Sequence, residues 1–169
     1  MPRSRIAAAV LRVVIWVVIW VVIAVVLSVE GSAQRLPAVA GVTDLATLVG
    51  TWQAVSIEAD GTLSQPEDVA KITVVNAGDG GWTVMVGGKL VARGTNELAP
   101  WSVPKGIDFV VAEDANGPVT ENRRHLGIYE LESNTRRLCF APPGAERPTA
   151  FSAAKGSGHV LVTFERIAE

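Results

Sequence analysis

Cysteine occurs once in the 169 residues, at Cys139, tyrosine once, at Tyr129, and histidine twice, at His125 and His159. A single thiol excludes an intramolecular disulfide, so stability has to come from packing. Neither histidine has a cysteine or second histidine at ligand spacing, which speaks against a metal or haem centre, and no cofactor is expected. The nucleophile elbow Gly-x-Ser-x-Gly is missing around Ser102, Ser152 and Ser157, and no Ser, His and Asp order is distinctive. An excess of positive charge is lacking too. Fifteen basic residues stand against 17 acidic ones, with no basic stripe of the kind nucleic acid requires. No sustained helical periodicity follows residue 50. Enzyme activity and nucleic-acid binding are therefore not expected.

What the chain does have is a leader. Arg3, Arg5 and Arg12 precede an unbroken apolar run, Val13 to Leu27, and Gly31 and Ala33 then offer the small side chains that a signal peptidase inspects. The run is long for a signal peptide and nearly long enough to span a bilayer. Residues 1–33 are read as a signal peptide or a membrane anchor. In both cases the rest of the chain lies outside the cytoplasmic membrane, whether periplasmic, secreted or anchored. Membrane contact is expected only through residues 6–29, and only if the leader stays uncleaved. Without the leader, 12 basic and 16 acidic residues remain, a net charge near −4.

Residues 34–42 read as a linker, with Pro37 and Gly41, and 43–169 as one domain. Thr43 or Asp44 is suited to cap a short helical turn, Leu45 to Val49, which Gly50 ends. Eight strands are predicted after it: 51–59, 71–76, 82–86, 90–98, 107–112, 124–131, 137–141 and 159–166. Trp82, Val84 and Val86, then Ile107, Phe109 and Val111, then Val160, Val162 and Phe164 recur with period two, as strands with one inward face do. Gly87-Gly88 reads as a hairpin turn. A turn at Ser133-Asn134 pairs Glu130 with Arg137, Tyr129 with Leu138 and Ile128 with Cys139. Consecutive antiparallel strands behind one short helical turn predict an all-β, up-and-down barrel.

Two groups of residues carry a family resemblance. Leu48-Val49-Gly50-Thr51-Trp52, a helical turn leading to Gly-x-Trp on the first strand, resembles the opening motif of lipocalin-like barrels. Pro104-Lys105-Gly106-Ile107-Asp108, Leu126-Gly127-Ile128-Tyr129-Glu130-Leu131, Leu138 to Gly144, Arg147 to Phe151 and Gly156-Ser157-Gly158-His159-Val160-Leu161 together resemble the planctomycete-type conserved domain of unknown function, a lipocalin-like family of exported proteins. The likeness covers about residues 45–167. Ala150 departs from it, where the family more often has an acidic residue, and Trp101 falls in a variable loop. The resemblance implies a lipocalin-like barrel and an exported setting, and no reaction. It also implies that a basic side chain of the last strand, Arg166, stacks on Trp52 and closes one end.

The remaining candidates have plainer readings. Cys139, between Leu138 and Phe140, reads as a buried small hydrophobe. His159 reads as part of a strand-start turn. Glu58 with Asp60 and Glu113 with Asp114 are the nearest approach to paired carboxylates, but they fall at turns. The segment Ala141 to Thr149, with Pro142-Pro143 and Arg147, is either a recognition surface or a connection pinned by prolines. The domain is expected to bind a small apolar ligand inside the barrel, or else to be a packed envelope or extracellular module that binds a protein. Convergence of Trp82, Phe109, Phe140 and Phe164 on one centre would fill the barrel and favour the second.

Overall fold

The computed structural model describes residues 38–167. The leader and its cleavage site, expected within residues 1–33, lie outside the described residues.

The domain is a closed antiparallel barrel. Helix α1 (Ala38–Leu48) leads into β1 (Gly50–Ala59); a two-residue β2 (Thr62–Leu63) and the four-residue α2 (Pro66–Val69) follow, and then β3 (Ile72–Asn76), β4 (Gly81–Val86), β5 (Lys89–Ala99), β6 (Gly106–Asp114), β7 (Gly117–Leu131), β8 (Thr135–Phe140) and β9 (Val160–Arg166). Each strand from β3 to β9 pairs with the next, β1 pairs with β3, and β9 returns to β1, so eight strands close on themselves while β2 is an outlying stub on β1. Closure removes the exposed strand edges that an open sheet would leave.

Three details differ from the sequence expectation. Helix α1 begins at Ala38, inside the span read as linker. A second short helix, α2, is present, and β7 starts at Gly117 rather than Arg124. The β7–β8 hairpin has the predicted register, with Glu130 opposite Arg137, Tyr129 opposite Leu138 and Ile128 opposite Cys139.

Cross-strand register fixes which side chains point inward, because partners directly opposite share a face. Trp52 faces Val74 on β3, Val74 faces Val84 on β4, and Phe164 on β9 faces Arg136 on β8. Around the end where α1 enters, the interior is closed: Leu48, Trp52, Tyr129, Arg136 and Phe164 are all buried. At the opposite end, inward-facing Ile57, Val84, Val86 and Val111 are only half-buried.

The long β8–β9 connection packs against the outside of the barrel. Burial of Ala141, Pro148 and Ala153 holds it there, and the Cys139 thiol donates to the Ser152 carbonyl at 3.4 Å. Arg147 donates to the Gly127 carbonyl at 2.5 Å and pairs with Asp108 at 2.6 Å. The connection is thus pinned to its own barrel by Arg147 as well as by its prolines.

Candidate functional site

The closed end is built around one indole. Gly50 holds φ at +122°, and a β-carbon on it would come within 2.6 Å of the Arg166 guanidinium. With glycine there, Arg166 passes over Trp52 with its guanidinium carbon 4.1 Å from the ring centroid. It goes on to donate to the Val49 carbonyl at 2.6 Å, to the Thr47 carbonyl, and to the Ser133 carbonyl at 3.0 Å. A cation thereby satisfies carbonyls that the end of α1 leaves without helical partners. The Trp52 indole N–H donates to the Leu48 carbonyl at 2.8 Å, tying the same helix end to the barrel floor.

A second guanidinium, which sequence reasoning missed, occupies the interior beside the first. Arg136 is 3% exposed, with its guanidinium carbon 4.7 Å from the Trp52 centroid and 4.4 Å from that of Phe164. It donates to the Asn76 side-chain oxygen at 2.6 Å, while its Nε has no hydrogen-bond partner. Among the described residues no carboxylate forms an ion pair with it. Burial, and then the neighbouring charge of Arg166, push its pKa down to about 9. Two aromatic faces and one amide oxygen stand where a counter-ion would otherwise be required.

The rest of the interior holds a chain of rings. Trp82 meets Phe109 edge-on at 6.1 Å, Phe109 meets Phe140 at 5.8 Å, and Phe140 meets the His125 ring at 6.0 Å. Gly94 makes the first contact possible: it sits opposite Trp82, and a β-carbon there would lie 2.8 Å from the indole and collide with the Val110 carbonyl. Phe164 joins the Arg136 stack rather than this chain. Burial keeps His125 below the ordinary imidazole pKa, and Arg123 adds to the effect. Its Nδ1 lies 3.2 Å from the Ala141 carbonyl.

The other sequence candidates do not assemble into a catalytic arrangement. Cys139 is fully buried, and burial raises its thiol pKa, away from the reactive thiolate. His159 Nδ1 lies 3.3 Å from the Ser152 carbonyl, and the backbone N–H of His159 donates to Ser157 Oγ at 3.1 Å. Asp60 accepts from the Gly158 backbone at 2.9 Å. Asp114, at the turn the sequence indicates, is buried; it pairs with Arg123 at 2.8 Å and accepts from the Asn116 backbone. Glu113 pairs with Arg93. No group of three or more potential metal ligands occurs among the described residues. Two open depressions lie on the barrel wall, one of about 340 Å³ beside Asn134, Thr135, Glu165 and Arg166, the other of about 290 Å³ over Val75, Thr83, Arg93 and Thr95.

Comparison with known protein families and with curated proteins finds no match to the chain.

Proposed function

We propose that the chain is a non-catalytic interaction module of the cell envelope, a packed lipocalin-like barrel displayed outside the cytoplasmic membrane and held there by residues 6–29. The edge-to-face run Trp82–Phe109–Phe140–His125 carries this reading, because rings in mutual contact across the interior take up the volume a ligand would need. The titratable groups inside the barrel are engaged in stacking or hydrogen bonding, which supports a structural rather than a chemical use. The motif likeness to the planctomycete-type domain agrees with an exported setting. The span Ile6–Val29 has 24 residues with one charge, Arg12, inside the range of a membrane helix.

Native mass spectrometry of the full chain, extracted from membranes of its own host, tests both halves of the proposal. The expected species is the uncleaved chain with no small molecule retained. A mature chain starting near Gln34 would remove the anchor, and a bound lipid or aromatic adduct would replace the packed barrel by a binding one.

The half-buried, inward-facing side chains of Ile57, Val84, Val86 and Val111 favour a second reading, a shallow site for a small apolar ligand. Under that reading an environment-sensitive apolar dye brightens on titration, and Val84→Trp abolishes the response.

A further inference from the structure

The β5–β6 loop, residues 100–105, lies at the same end of the barrel as α1, the element through which the chain enters the domain. Its tip carries the most exposed apolar side chains there. Trp101 is 60% exposed and Val103 is 98% exposed, whereas the barrel tryptophans Trp52 and Trp82 are 0% and 7% exposed. The loop is braced. Ser102 Oγ donates to the Ala99 carbonyl at 2.9 Å or to the Pro104 carbonyl at 2.7 Å, the Ser102 N–H donates to the Ala99 carbonyl at 3.2 Å, and Pro100 is buried. Trp101 and Val103 are therefore held outward by a fixed turn, where water surrounds them at a cost.

No charge occurs from Leu98 to Pro104, and the first charged residue beyond, Lys105, is paired with Asp44 of α1 at 2.8 Å. The apolar tip and the incoming helix are thus fastened together. Val49 and Ile167, also partly exposed, flank β1 and β9 at this same end. The ten residues between Leu27, where the apolar run stops, and Ala38, where α1 starts, reach at most about 35 Å when fully extended. A chain anchored by that run keeps this end of the barrel within reach of the bilayer surface. An indole with an aliphatic neighbour on an uncharged turn has the chemistry of the lipid interface, where tryptophan is enriched.

We propose that Trp101 and Val103 seat in the headgroup region of the bilayer, forming a second membrane contact that orients the barrel with its open end outward. This rests on the anchored reading of residues 6–29.

The full chain is reconstituted in phosphatidylcholine–phosphatidylglycerol vesicles, with an environment-sensitive fluorophore attached at Val103→Cys or, as the opposite-end control, at Lys89→Cys; the buried Cys139 does not compete for label. The Val103 label is expected to shift to the blue, to be quenched by shallow nitroxide lipids and to lose most of its quenching by aqueous iodide, while the Lys89 label stays accessible to iodide. Replacing Trp101 by Ser is expected to restore iodide quenching at position 103 severalfold without releasing the chain from vesicles. Equal iodide quenching of both labels in chain that floats with vesicles overturns the membrane seat and leaves the anchor standing. Chain that fails to float overturns both. Protection of position 103 by dimerisation, seen as dilution-dependent shielding insensitive to nitroxide lipid, overturns the lipid assignment in favour of a second copy.

Discussion

The two ends of this barrel are finished differently. At the helix end, two guanidiniums stack on Trp52, Leu48 and Tyr129 are also buried, and the Tyr129 hydroxyl donates to Asp44 of α1 at 2.5 Å. Burial and that carboxylate both raise the Tyr129 pKa, so the phenol remains a donor. At the opposite end, the inward valines Val84, Val86 and Val111 stay half-buried. An eight-stranded barrel has only a narrow interior, and this one gathers its two stacked guanidiniums at one mouth. What seals it is a stack of cations on rings, which fills space as a hydrophobic plug does yet also reaches the helix carbonyls.

That contrast can be broken from the sealed end first. Trp52→Ala is expected to cost about 4 kcal/mol, since it empties the centre of the stack and frees both guanidiniums; equilibrium denaturation in detergent measures it. Arg136→Ala should cost about 3 kcal/mol through the cavity and the orphaned Asn76. Arg136→Met should recover most of that loss, because it fills the volume and removes a buried charge. If Met is as damaging as Ala, the cation itself is what the site needs. Arg166→Ala is expected to cost about 2 kcal/mol, from the lost stacking and the uncapped carbonyls of α1. Val84→Ala, at the open end, should cost less than about 1 kcal/mol, because a half-buried side chain leaves little cavity.

Acid offers a gentler probe. His125 has its folded pKa depressed below the ordinary value, so the unfolded chain takes up the proton first as the pH falls. The stability tied to neutral His125 is present above about pH 6.5 and is lost as the pH drops toward the folded value. Melting temperature should therefore fall between about pH 7.5 and 5, and His125→Gln should flatten that slope. An unchanged slope would move the acid sensitivity elsewhere.

The strands are the easiest features to read from the residues alone. Period-two alternation at Trp82–Val86, Ile107–Val111 and Val160–Phe164 follows directly from one inward face, and the Ser133-Asn134 turn sets its hairpin register. The start of β7 is hidden because Gly117 to Asn122 lacks apolar alternation; its pairing runs on past a register shift on β6 between Val111 and Glu113. Gly41 and a run of small residues with no polar face obscure the early part of α1. Arg136 escapes notice because Arg136-Arg137 reads as an exposed basic pair. The signal is nonetheless present: placing Arg137 opposite Glu130 on the outer face puts Arg136 on the inner one, with Leu138 and Phe140. Pairing register, rather than residue type, locates a buried cation of this kind.

The reach of Arg166 to the Val49 carbonyl joins positions 117 residues apart, and β9 is the strand that closes the ring against β1. During synthesis the first strand therefore waits, with one edge unpaired and Trp52 uncovered on one side, until the ninth has left the ribosome. The other barrel pairings join strands that follow one another along the chain, so this closure is the one that must bring opposite ends of the domain together, and it carries the largest loop-closure cost. Closure is thus the step that pairs both edges of β1 and brings the Arg166 guanidinium over Trp52.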